Sequence, residues 1–500
     1  MRVIFCLIWC CLWCGVSARF KSFTSLVGIG EPNRRPSSIG TSLRAATLNF
    51  IREDFFDQKL DHFNPTDNRT WKQRYQSHSL HHKIGGPVFM LLGGEEKISN
   101  AWLKDGSMME YAEKFNAMCF QLEHRYYGDS YPTDNLNTTN LKYLSIKQAL
   151  ADVAEFIKVK SQNPLYKGKW ILFGGSYPGS LAAWARKTYP NLVHAAVSSS
   201  SVIKTRIDNI DYFKVAEKAL TDYNPKCVSN IRQATMMISD LLDSENGTKY
   251  VQSKFKVCYR INTNVKKDVR QLFQQLSIPI AETIQYNRDN RYYSNMEKAD
   301  LSITALCDIM LNRALGSPFD RYVVYHKKVR HVLKRRCSSY SYQSLLQSNS
   351  EINWHGQSVK SGDRQWYYQL CTEIGNFVTS NEDDHLFGNN IPIDFFIDLC
   401  TDVFGEHFDL NKLEKAVHKT TMMYHGLKNT TSRVIYLHGS FDPWNGLGLT
   451  EPESDDSISI NIEGVSHCAD LYTSSPKDPP QLSKARETVT FYLNKWLTET

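Results

Sequence analysis

Short apolar runs alternate along most of the chain with segments whose apolar positions recur every third or fourth residue. The runs at 87–92, 118–122, 169–173, 195–197 and 433–437 are too short for buried helices and predict buried strands. A further strand is predicted at 457–462, where apolar and polar residues alternate. Ile146, Ala149, Leu150, Val153, Ala154 and Ile157 share one helical face. A second helix is predicted from 181, and 482–497 predicts an amphipathic helix that closes the fold. Strand and helix in alternation imply an α/β architecture, a mainly parallel sheet with helices on both faces. Near residue 205 the pattern changes. Ile238, Leu241 and Leu242, then Val329, Val332 and Leu333, fall at helical spacing among many charges, which predicts a helical cap insertion over 205–350. The α/β domain would then have two parts, 46–204 and 351–500. Residues 19–45, rich in Gly, Ser, Pro and Arg, read as a flexible leader or propeptide.

The first residues change the picture of where the chain works. Arg2 precedes an apolar run over 3–14, and Val16 and Ala18 stand at the −3 and −1 positions of a cleavage site. Residues 1–18 therefore read as a secretory signal, too short for a membrane span, and no other stretch is long and apolar enough to anchor the chain. Removing the signal takes four of the twelve cysteines and leaves Cys119, Cys227, Cys258, Cys307, Cys337, Cys371, Cys400 and Cys468. Most of these should pair in an oxidising compartment. Asn68, Asn137, Asn246 and Asn429 each start an N-x-T acceptor, whereas Asn64 is blocked by Pro65. Together these features predict a secreted or lysosomal glycoprotein. At 500 residues with 41% apolar and 22% charged residues the composition is that of a globular protein, too long for one compact core. The net charge of +7 is mild, and no nucleic-acid-binding pattern accompanies it. Its densest basic run, Lys327, Lys328, Arg330 and His331 followed by Lys334, Arg335 and Arg336, reads as a solvated helix face or as a polyanion-binding patch.

Candidate chemistry enters at Ser176. It follows a predicted strand, stands after Gly174 and Gly175 and ahead of Gly179, and precedes a predicted helix. That is the context of a nucleophile elbow, where the chain reverses too sharply for bulky neighbours. Asp442 and His467 lie just past two further predicted strands. Loops at one edge of a parallel sheet gather together, and the order Ser, Asp, His is that of an α/β-hydrolase fold. His467 would take the Ser176 proton, with Asp442 fixing its tautomer. The Tyr177 N–H and a backbone N–H from the Gly93-Gly94-Glu95 turn would form the oxyanion hole. His124 and His438 compete for the base role but stand less well with Asp442. No metal-ligand spacing or phosphate-cradling loop appears, and no metal or cofactor is expected.

These residues also carry a resemblance. The segment from Gly174 to Arg186 resembles that of the lysosomal Pro-X carboxypeptidase and dipeptidyl peptidase II family of serine exopeptidases, most of all its thymus-specific serine protease branch. The likeness extends to the blocks at 58–63, 73–75, 123–128, 365–373, 442–444 and 466–468, and so to nearly the whole mature chain. It implies peptide substrates, release of a C-terminal residue after proline or of an N-terminal X-Pro dipeptide, and Trp444, Trp366 and Tyr367 as a wall for the proline ring. It implies pairing of Cys227 with Cys307, Cys258 with Cys337 and Cys371 with Cys400, leaving Cys119 and Cys468 free. A homodimer is a further option. Two positions depart from the family pattern. Pro178 replaces a small residue, which the first helical turn tolerates. Glu96 replaces a glycine, so that Glu95 and Glu96 together would favour a substrate with a positive terminus. The alternatives are an esterase or a serine carboxypeptidase without proline preference, and a binding protein that has kept the fold.

Overall fold

The computed structural model describes residues 50–288, 300–382, 385–424, 431–450 and 456–499. The signal, the leader and Asn429 lie outside these residues. Ten strands occur among them: β1 (Ile51–Lys59), β2 (Thr70–His78), β3 (Val88–Leu92), β4 (Met118–Leu122), β5 (Trp170–Gly175), β6 (Ala195–Ser199), β7 (Arg206–Asn209), β8 (Gly375–Val378), β9 (Val434–Gly439) and β10 (Ser457–Ile462). Eight of them form one sheet in the order β1-β2-β4-β3-β5-β6-β9-β10. The β1–β2 and β2–β4 pairs are antiparallel, and every other pair in this sheet is parallel.

Each central strand serves two cores because successive side chains point to opposite faces. In β3, Val88, Met90 and Leu92 join the helices Ile146–Lys160 and Tyr177–Thr188, through Leu150, Val153 and Leu181 among others. Phe89 and Leu91 point the other way, onto Met108 of the Ser107–Phe115 helix and onto Leu482, Val489 and Leu493 of the Pro480–Thr498 helix. A mostly parallel sheet sandwiched in this way is the α/β-hydrolase fold.

Two differences from the sequence expectation have physical reasons. The strands β1 and β2 carry no apolar alternation, because much of what they bury is polar and paired. Gln58 donates to Gln73, Gln73 donates to the Glu123 carbonyl, and Arg74 pairs with Glu123 at 2.9 Å. The helical excursion between β6 and β9 also runs beyond residue 350, as far as the Leu410–Tyr424 helix, with the short parallel pair β7–β8 enclosed in it. Among its later helices Ile393–Phe404 buries Phe395, Phe396, Leu399, Cys400 and Phe404. Cys227 is joined to Cys307, Cys258 to Cys337 and Cys371 to Cys400, with Cα separations of 5.3, 5.1 and 5.8 Å. Closing loops of 80 and 79 residues constrains the unfolded chain by about 4 kcal/mol each in the loop-entropy account. Cys119 and Cys468 are buried and free. Asn68, Asn137 and Asn246 are all exposed. No described helix is long and apolar enough to cross a membrane.

Candidate active site

At the end of β5 the chain turns into the Tyr177–Thr188 helix through Ser176, whose φ of 60° and ψ of −132° are strained for a residue with a side chain. The turn closes only because its neighbours are bare. A Cβ on Gly174 would lie 2.2 Å from the Pro178 carbonyl oxygen, and one on Gly179 would lie 2.8 Å from that of Ser199. The Ser176 N–H donates to the Ser199 carbonyl at 2.9 Å, which ties the elbow to β6. Pro178 occupies the first helical turn and packs on the Gly93-Gly94 turn after β3, where a Cβ on Gly94 would meet its ring at 2.4 Å. The Ser176 turn and the Gly93-Gly94 turn are thus in van der Waals contact.

Asp442 and His467 follow β9 and β10, adjacent parallel strands whose loops leave the same edge of the sheet. His467 Nδ1 lies 2.9 Å from both Asp442 carboxylate oxygens, and neither residue is exposed to solvent. A carboxylate accepts, so Nδ1 carries the proton and Nε2 presents its lone pair. Asp442 is itself fixed by the Trp444 N–H, which donates to it at 3.0 Å. Among the described residues His467 Nε2 and Ser176 Oγ are both buried without a hydrogen-bond partner. A buried polar atom left unpaired costs about 1–3 kcal/mol, a cost usually tolerated at sites that bind something. No hydrogen bond joins Ser176 to His467 among the described residues; catalytic hydrogen bonds are often long or absent until substrate tightens them.

A residue with no sequence signal holds the Asp442 and His467 loops together. Gln285 ends the Lys266–Gln285 cap helix. Its carbonyl accepts the His467 N–H at 2.9 Å, and its side-chain oxygen accepts Trp444 Nε1 at 3.0 Å and the Tyr212 hydroxyl at 2.8 Å. The next residue, Tyr286, places its ring edge-on to His467 at 6.1 Å. The cap is therefore bonded to both loops.

Tyr177 organises the opposite side. Its hydroxyl donates to His124 Nε2 at 3.1 Å and accepts from Gln369 at 2.8 Å, while Gln369 accepts from the Tyr127 hydroxyl at 2.6 Å. Burial pushes His124 down to about 4, so it is neutral at working pH, and its Nδ1 proton goes to the Arg125 carbonyl at 2.7 Å. His438 is likewise pushed by burial to about 4, and its Nε2 accepts the Leu449 N–H at 3.2 Å. Both competing histidines are committed elsewhere. Trp366 packs on Tyr177 with ring centroids 5.5 Å apart. Trp444 stands beside Asp442 with its ring edge-on to Tyr212 at 5.1 Å. Tyr367 is fully buried within the large core cluster that contains the cap helices.

Glu95 is buried and Glu96 exposed. They line a cavity of about 90 Å³ with Gly94, Gly175 and Pro178. Burial raises the Glu95 carboxyl well above the usual range, and its Oε1 has no partner among the described residues. That burial favours the protonated form, which weakens the pull of Glu95 on a positive terminus relative to the sequence expectation. No described cluster of three or more His, Cys, Asp or Glu is arranged to hold a metal ion.

The comparison with known proteins agrees with this architecture. The family described as serine carboxypeptidase S28 matches residues 58–489. The thymus-specific serine protease of Mus musculus is 31% identical over 469 residues, covering 90% of this chain and 88% of that protein. The lysosomal Pro-X carboxypeptidase of Homo sapiens is 27% identical over 474 residues, covering 92% and 90%. With a family match across most of its length and an α/β-hydrolase sheet beneath it, the chain belongs to the serine carboxypeptidase S28 family and is a serine peptidase.

Proposed function

We propose that this peptidase is an exopeptidase cutting beside proline, working by acyl transfer through Ser176, His467 and Asp442. The observation that carries the reading is the buried His467–Asp442 pair, with Nε2 left unpaired, together with the strained elbow at Ser176. Ser176 Oγ attacks the scissile carbonyl as His467 Nε2 takes its proton. The Tyr177 N–H and an N–H of the Gly94-Glu95 turn stabilise the oxyanion. His467 then returns the proton to the leaving amine, and water repeats the sequence on the acyl-enzyme. Asp442 stays ionised throughout and stabilises the imidazolium.

Trp366, packed on Tyr177, and Trp444, beside Asp442, are the apolar surfaces we assign to a proline ring. At the terminus, a neutral Glu95 can donate to a substrate carboxylate, whereas an ammonium beside it would draw out its proton and restore the charge. Cleavage of peptides carrying proline second from either end, each terminus free or blocked, followed by mass spectrometry, decides between these. Loss of one C-terminal residue makes the enzyme a Pro-X carboxypeptidase, and loss of an N-terminal dipeptide makes it a dipeptidyl peptidase. Equal cleavage of alanine analogues would contradict the proline preference. The three disulfides fit the secretory pathway. Within it we take a lysosomal or secreted location, tested by co-fractionation of the tagged chain.

A further inference from the structure

The cap carries a groove of about 680 Å³ that no step of the peptidase reaction uses. Its walls are Lys256, Lys327, Lys328, Arg330, Arg335 and Arg336, joined by His331, with Val332 the remaining lining residue. Sequence proximity explains only part of this gathering. Lys256 comes from a separate segment, brought in by the Cys258–Cys337 disulfide. Two backbone bonds make the join rigid: Cys258 N–H to the Ser338 carbonyl at 2.9 Å, and Ser338 N–H to the Lys256 carbonyl at 3.0 Å. Arg330 is held by the Phe255 carbonyl at 3.1 Å and Lys328 by the Asp300 carbonyl at 2.9 Å. Neither bond cancels charge. Among the described residues no carboxylate forms an ion pair with Lys256, Lys327, Lys328, Arg330 or Arg336. Elsewhere surface lysines find acids, as Lys267 does with Asp398 and Asp402, and Lys218 with Asp222.

We propose that this groove is a second, non-catalytic binding site for a linear sulfated polysaccharide. Like charges gathered without counterions raise the energy of the free protein and reward a polyanion that displaces the condensed ions. A concave wall admits a chain but cannot lie flat on a bilayer. No Phe, Tyr or Trp lines it as a platform for successive bases, which disfavours single-stranded nucleic acid. The secretory route of a disulfide-bonded chain leads to places where sulfated glycans are the abundant polyanion. The site would hold the enzyme on such chains while the catalytic centre, under a different part of the cap, remains open to peptides.

The test is binding of the full mature protein to heparin across a salt series. It compares wild type with Lys256→Gln/Lys327→Gln/Arg336→Gln and with a control, Lys83→Gln/Lys114→Gln/Lys158→Gln. All six positions are exposed. The groove variant should release heparin at lower salt, with a log Kd against log salt slope shallower by roughly two to three units, about one per charge lost. The control should match wild type, and peptide hydrolysis should be unchanged in both, which shows that they are folded. Equal loss in groove and control variants would reduce the effect to net charge and overturn the site. So would absent heparin binding, or binding only to vesicles of phosphatidylserine and phosphatidylcholine in equal parts.

Discussion

At the scale of single residues, chemistry depends on how the protein spends its unpaired atoms. Tyr177, Gln369, His124 and Gln285 are committed to hydrogen bonds, while Ser176 Oγ and His467 Nε2 are left open. Asp442→Asn keeps the shape but stabilises the wrong imidazole tautomer. It should lower kcat by about ten-thousandfold with little change in KM, read by steady-state kinetics on a peptide ester or amide. Gly94 and Pro178 make a second residue-scale prediction. Gly94→Ala drives a methyl into the proline ring and should displace the oxyanion turn, lowering kcat by about a hundredfold. Adding Pro178→Ala removes the clash and should restore most of that loss. If the double variant is no better than the single, the contact does not position the turn. Ser176, Asp442 and His467 were legible as candidates because each follows a strand readable from the sequence, two of them apolar runs and the third, at 457–462, an alternating one. Gln285 was not, because its role comes from where a distant helix ends.

Elements show the same division. The parallel strands announce themselves through continuous apolar runs, since both their faces are buried. β1 and β2 remained hidden because Gln58, Gln73, Arg74 and Gln76 are buried by pairing with one another and with Glu123 or Glu53. The cap helix Lys266–Gln285 looks from its period like an ordinary amphipathic helix, yet its C-terminus joins the Asp442 and His467 loops. Gln285→Leu would leave the Trp444 indole N–H and the Tyr212 hydroxyl without this acceptor. It should cost roughly 1–3 kcal/mol in thermal unfolding. If the cap positions the triad, kcat should fall and the pH–rate profile should shift, whereas KM should move less. A stability loss with unchanged kcat and profile would make the bonds purely structural.

The whole molecule has a pH signature set by buried groups. Burial pushes Glu373 up to about 8 and Asp470 up to about 6, so the native state keeps protons that the unfolded chain has released. Their contribution is complete below the ordinary carboxyl range and is lost as pH rises through these raised values. Burial also holds His124 and His438 near 4 and His326 near 3, so the unfolded chain takes up protons first as pH falls below about 6.5. The two sets oppose each other in mild acid, and only the carboxyls act above it. The melting temperature should therefore change little between about pH 5 and 6.5 and fall from 6.5 to 8, with Glu373→Gln flattening that fall. A melting temperature that rises across the upper range would contradict the assignment.

In the proposed reaction one serine, Ser176, is the nucleophile. Treating the mature protein with a fluorophosphonate and mapping the adduct by tandem mass spectrometry tests it directly. A single adduct on Ser176 is expected, formed in step with loss of peptidase activity and absent from Ser176→Ala. An adduct on another serine, or peptidase activity that survives in Ser176→Ala, would contradict it.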